Sequence, residues 1–184
     1  MQDYAILIKT ERLTISEMLD SDYEECLRLF FEGRSQAVNN LLANDELDKL
    51  LRDMTWAEIC KDTFNCMIRN LQGQVIGRVC MQHLSETIPE LGIDLFRDFQ
   101  DQGYGTEALS AFIAWYRREH SVEAIRIRID EDNSRSIHVF EKLGAVYVST
   151  DTFLRQATIE KLKIFKPGTD FSDLETPTVL VFTI

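Results

Sequence analysis

Gln100-Asp101-Gln102-Gly103-Tyr104-Gly105 is the segment whose residue types and spacing best suit chemistry. Two glycines one residue apart let the backbone come close to a ligand. Thr106-Glu107-Ala108-Leu109 then opens a helical pattern. The unsatisfied N–H groups of that helix start, and its dipole, would face the same space and favour a phosphate. The amides of Gln102, Gly103, Tyr104, Gly105 and Thr106 would be the donors, and Gly105 is where a side chain would collide with the phosphate. Backbone donors suit a chain with 20 basic and 31 acidic residues, net −11, because they need no side-chain charge.

Two elements must hold this turn. Before it, Leu91, Ile93 and Leu95 alternate with Glu90, Gly92 and Asp94, the period of a half-buried strand. After it, Leu109, Phe112, Ile113 and Tyr116 form one helical stripe. Other phosphate-binding turns fit less well. A P-loop would need a lysine that Gly105-Thr106 lacks. A dinucleotide fingerprint wants three spaced glycines, whereas position 108 is alanine and position 100 is glutamine. Further on, Asp132-Asn133-Ser134-Arg135-Ser136 leads into a helix that Glu141-Lys142-Leu143-Gly144 closes.

Gln-x-x-Gly-x-Gly between a strand and a helix resembles the acetyl-coenzyme A signature of the GNAT N-acetyltransferase superfamily. Asn-x-x-Ser followed by Glu-Lys-Leu-Gly resembles that superfamily's second cofactor motif. Thr10-Glu11-Arg12-Leu13, followed by Asp20-Ser21-Asp22-Tyr23, is similar to the opening of its ribosomal-protein-alanine N-acetyltransferase branch. The resemblance runs in order over residues 5–184. It implies an α/β (α+β) fold in one domain, 1–184. Its mixed central sheet would have about six to seven strands, flanking helices and a splayed parallel strand pair.

Periodicity fills in the remaining elements. Residues 5–15 read as one strand. A helix over about 22–32 would bury Tyr23, Cys26, Leu27 and Phe30 and stop at Gly33. A break at Asn39-Asn40 precedes a helix over 45–54, and 55–62 reads as a separate turn or short helix. Strands follow at 64–69 and 74–83, joined by the hairpin turn Asn70-Leu71-Gln72-Gly73. Gly77 marks a bulge or a close approach. Strands at 122–129, 145–152 and 178–184 complete the set, with a long excursion through 161–169.

The resemblance also implies roles for particular residues. The peptide-like pantetheine arm would hydrogen-bond the central strand near Ile93, Leu95, Phe96 and Arg97, as an added strand does. Gln100 to Thr106 would take the pyrophosphate. Asn133 would cap its helix and face the arm, and Phe140 would stand near the thioester. Glu90 would be a base acting through water on the amine, in a direct attack within a ternary complex. Many relatives protonate the leaving thiolate with a tyrosine; here that position is Phe140, which leaves Ser136, with His83 and Tyr104 as alternatives. The acceptor would be a primary amine: a protein N-terminus, an amino sugar, a polyamine or a small metabolite. An acetyl-CoA-binding regulatory module with little transfer is the other reading, kept open by the missing tyrosine.

Composition limits the partners. The acidic balance argues against nucleic acid and permits a cationic acceptor. Cys26, Cys60, Cys66 and Cys80 are scattered, and with His83, His120 and His138 they give no metal-ligand spacing. No apolar run approaches the ~18 residues of a membrane span, and the opening Met1-Gln2-Asp3-Tyr4 does not read as a signal peptide. The expectation is a cytoplasmic monomer or homodimer with reduced thiols and no metal.

Overall fold

A computed structural model describes residues 5–32, 45–151 and 178–184 of the chain. Its contacts divide the chain into two units, Met1–Glu123 and Ala124–Ile184. The first unit is organised around an antiparallel run of five strands in chain order: β1 (Ile6–Lys9), β2 (Leu13–Glu17), β3 (Thr63–Asn70), β4 (Val75–Gln82) and β5 (Glu90–Leu95). Residues expected to form one strand over 5–15 instead form two. The chain turns back at Thr10, whose amide donates to the Leu13 carbonyl at 2.9 Å and whose hydroxyl accepts from the Leu13 amide at 3.0 Å. With β6–β8 below, that split raises the strand count to eight among the described residues.

The hairpin between β3 and β4 follows its turn chemistry. Gly73 has φ of +78°, and the Asn70 side-chain oxygen accepts from the amides of Gln72 and Gln74. Gly77 is a close approach, as expected. A Cβ built there would run into the Asp94 carbonyl of β5, so only glycine lets β4 and β5 keep their register.

Helices cover both faces of these strands. α1 (Tyr23–Phe31) and α2 (Asp45–Ile59) pack Cys26, Leu27 and Ile59 against Met67, with Trp56 and Tyr23 beside them. α2 is one helix through Ile59, where a break near Thr55 was expected; Trp56 and Ile59 keep its apolar stripe running into that cluster. Phe30, expected inside, is 51% exposed, and Leu29 is buried in its stead. The opposite face carries α3 (Tyr104–His120), which buries Ala108, Leu109, Phe112, Ile113 and Tyr116 and stacks Trp115 on Phe64 of β3. Behind α1, the buried Arg69 reaches Ser16 Oγ and Asp22 Oδ1, each at 2.6 Å, so its charge is paired and hydrogen-bonded.

In the second unit, β6 (Arg126–Asp130), β8 (Val179–Thr183) and β7 (Val146–Asp151) are antiparallel in that spatial order. β6 is shorter than the strand expected over 122–129. Between β6 and β7 lies α4 (Ser134–Lys142), which ends before Gly144 at φ of +95°. The expected Gly33 terminus, the Asn39-Asn40 break and the excursion through 161–169 fall outside the described residues.

Candidate functional site

The glycine turn takes its shape from two side-chain contacts and one backbone angle. After β5, a short 3-10 turn at Arg97–Phe99 leads to Gln100, whose side-chain amide reaches back to the Leu95 carbonyl at 2.8 Å. The Gln102 side chain does the same to the Asp98 carbonyl at 2.6 Å. Gly103 then sits at φ of +81°, a left-handed position that glycine takes without strain, and α3 begins.

The two glycines are required for different reasons. Gly103 answers to its backbone angle. Gly105 answers to nothing inside the protein: a Cβ there would meet only Leu95 Cδ1, at an ordinary 3.5 Å. The α3 ladder starts with the Glu107 amide donating to the Gly103 carbonyl at 3.1 Å. The amides of Tyr104, Gly105 and Thr106 thus precede the ladder, at the positive end of a 17-residue helix. These amides and the positive pole are the donor set that a pyrophosphate would fit.

A carboxylate in the first helical turn conflicts with an anion site, and Glu107 is one. The structure resolves the conflict with Arg12. Its Nε and Nη2 lie 2.7 Å from Glu107 Oε2, and its backbone amide donates to Oε1 at 3.0 Å, beside Thr10 Oγ1 at 2.5 Å. Arg12 Nη1 also donates to the Gln102 carbonyl at 3.0 Å, and its guanidinium lies 4.5 Å over the Tyr104 ring. One arginine therefore neutralises Glu107 and pins the turn from both sides. Sequence reasoning placed Arg12 on a framework strand. The pairing spans 95 residues, so only the fold reveals it.

Burial opposes ionisation of Glu107, but the hydrogen bonds from Thr10 and Arg12 outweigh it and hold its carboxyl below the usual range. A lowered folded pKa means stabilisation that is present above the ordinary carboxylate value of about 4.3 and lost as pH falls through the folded value. Glu107→Gln is expected to cost about 1–3 kcal/mol at pH 7. Thermal melts should show the difference shrinking steadily as the pH drops below about 4. A difference constant across that range would remove the ion pair as its cause.

On the face covered by α1 and α2, β4–β5 register sets Arg78 opposite Asp94 and Gln82 opposite Glu90. Glu90 and Asp94 thus share a face, as expected. Asp94 is not a lone acid, however: its Oδ2 lies 2.8 Å from Nη2 of the buried Arg78, whose Nη1 donates to Asn65 Oδ1 at 3.3 Å. Burial alone would lower the Arg78 pKa, but the Asp94 carboxylate beside it works in the other direction, and the guanidinium stays charged. This pairing removes Asp94 from the charge argument for a cationic acceptor. Glu90 is half-buried at the start of β5.

No cysteine is activated. Burial pushes the Cys26 thiol up to about 11 and raises Cys60, Cys66 and Cys80 as well. A covalent acyl-enzyme needs a lowered thiol pKa, so the thiols do not support one.

His83 follows β4 in the first unit, with Nδ1 3.6 Å from Glu86 Oε1; the other remaining candidates belong to the second unit. Asn133 is the N-cap of α4, its side-chain oxygen accepting from the Ser136 amide at 3.1 Å. Ser136 is half-buried. Phe140 is 4% exposed and carries no acidic proton, so it packs as core. Among the described residues no cluster of His, Cys, Asp and Glu could hold a metal. No helix there is long and apolar enough to cross a membrane.

Residues 12–146 match the family model described as acetyltransferase (GNAT) domain. No curated protein sequence matches the chain. Among solved structures, a GNAT-family acetyltransferase from Bacillus anthracis superposes with a TM-score of 0.63 at 17% identity, covering 96% of each chain. The dodecameric spermidine N-acetyltransferase of Vibrio cholerae gives 0.64 at 14% identity, covering 95% of this chain and 94% of that one. A Vibrio cholerae protein described as a ribosomal-protein-serine acetyltransferase gives 0.60 at 18% identity, covering 96% and 95%. At these identities the likeness is one of fold.

Proposed function

The chain belongs to the GNAT acetyltransferase family, and from that premise we propose that it transfers the acetyl group of acetyl-CoA to a primary amine. The observation that carries this reading is the α3 start, where a side chain at Gly105 would meet only Leu95 Cδ1 and Arg12 pairs Glu107, the carboxylate of the first helical turn. The family match crosses the boundary between the two units, which supports a single catalytic domain over 1–184.

Acetyl-CoA, when bound, supplies an activated thioester. The turn from Gln100 to Thr106 would hold its phosphates, and Ile93 and Leu95 of β5, with Phe96 and Arg97 just past its end, would align its arm. Asn133 and Phe140 are proposed as further acetyl-CoA-binding residues, with Phe140 acting from the core it packs in. The amine must lose a proton as its nitrogen bonds to the acyl carbon, and Glu90 accepts that proton through water. As the carbon–sulfur bond breaks, its electron pair would pass to the sulfur, where the Ser136 hydroxyl would donate a hydrogen bond while the thiolate takes its proton from solvent. Four free thiols are consistent with a cytoplasmic setting. We propose that the chain acts as a monomer or homodimer; the dodecamer is a property of the Vibrio enzyme.

The acceptor is proposed to be cationic, with polyamines first, then amino sugars and short peptides. The net charge of −11 supports it, as does the spermidine enzyme among the structural neighbours. Release of free CoA thiol, measured against this panel at two ionic strengths, tests it. The expected result is turnover with a polyamine whose kcat/KM falls as salt rises. Preference for neutral amines, or no salt dependence, would overturn the charge argument. Acetyl-CoA binding without thiol release for any amine would leave a binding module.

A further inference from the structure

The carboxyl end of α1 reaches the exit of β5. Arg28 places its guanidinium 4.4 Å over the buried Phe96 ring, and one residue past the helix Glu32 Oε2 accepts the Arg97 amide at 2.9 Å. An acid at a helix carboxyl end is locally unfavourable, because it meets the negative pole of the dipole. Helix stability therefore does not explain Glu32. Its contact does: the amide it takes is one that the reading above gives to the pantetheine arm.

The two backbone groups there differ in what they can share. A carbonyl has two lone pairs, so Leu95 can accept from Gln100 and still accept from a ligand. An N–H has one hydrogen. The Arg97 amide makes one good bond, either to Glu32 or to the arm. A carboxylate is also a stronger acceptor than a neutral amide carbonyl.

We propose that Glu32 is a displaceable stand-in for the cofactor's arm: its carboxylate satisfies the Arg97 amide in the free protein, and acetyl-CoA must remove it to bind. The proposal rests on the reading of β5 as the seat of that arm. Only the fraction of protein with Glu32 withdrawn is competent, so the apparent affinity is reduced by that fraction.

Titration calorimetry of two ligands tests this on the intact protein. Acetyl-CoA carries the arm; 3′-phosphoadenosine 5′-diphosphate carries the phosphates without it. Glu32→Ala should tighten acetyl-CoA about three- to tenfold, the scale of one exposed hydrogen bond, and leave the nucleotide unchanged. Glu32→Gln, which keeps a neutral acceptor, should fall between. An acetyl-CoA affinity that is unchanged or weaker in Glu32→Ala overturns the proposal, as does equal tightening of both ligands. Failure of the unmodified protein to bind acetyl-CoA while it binds the nucleotide would instead overturn the assignment of the arm to β5. Failure to bind either ligand would overturn the cofactor reading as a whole.

Discussion

Valine at position 105 is expected to abolish the thermal stabilisation that acetyl-CoA gives the unmodified protein. A ligand that binds only the folded state adds RT ln(1 + [L]/Kd), about 2.7 kcal/mol at a hundredfold excess over Kd. That is several degrees in Tm for a chain of this size. The substitution acts on the ligand more than on the fold. Gly105 lies inside α3 rather than at a left-handed angle, and its first added carbon meets only Leu95 Cδ1, at an ordinary distance. The added methyls would stand where the pyrophosphate approaches the amides of Tyr104 to Thr106. Gly105→Ala serves as the gentler control, with a partial loss. Differential scanning fluorimetry at millimolar acetyl-CoA reads the effect. If the unmodified protein shows no shift, the cofactor reading is wrong. If Gly105→Val keeps the full shift, the turn is not the phosphate site.

Glu90→Gln is expected to reduce turnover by about 10²–10⁴-fold, the usual contribution of a positioned general base. The replacement keeps size and shape at a half-buried site on β5 but cannot accept a proton at neutral pH. Acetyl-CoA affinity should stay nearly constant, because β5 keeps its backbone. The loss should therefore fall on kcat, measured in single turnovers where chemistry limits. The pH dependence should change with it: the rate of the unmodified protein rises through the base's apparent pKa, and that limb should disappear in Glu90→Gln. An equal rate in both proteins would return Glu90 to a structural role. Arg78 already pairs Asp94 on the same face, so Asp94 is poorly placed to substitute for it.

By itself the sequence determined the parts of this protein governed by local rules. Alternation across Glu90–Leu95 named the strand, and the period of Leu109, Phe112, Ile113 and Tyr116 named the helix that follows. Gly73, Gly103 and Gly144 fell where turns and a cap demand positive φ, and Asn133 fell at a cap, because these choices involve only a few neighbouring residues. Gly77 was flagged for the same reason, although the atom that forbids a side chain there belongs to β5.

What only the tertiary structure decided involves partners far apart in the chain or a helix's rotation against its core. Phe30 and Leu29 are equally apolar, and packing alone chose Leu29 for the interior. Asp94 was legible as an acid on the Glu90 face, but its neutralisation by Arg78 depends on strand register. Arg12 and Glu107 are unremarkable charges until the fold brings them together, and Glu32 is one acid among many until α1 delivers it to the Arg97 amide. Charge pairing of this kind has no period and no local signature. It is fixed by distances that exist only once the chain has folded, and those distances join the glycine turn to the residues that hold it open.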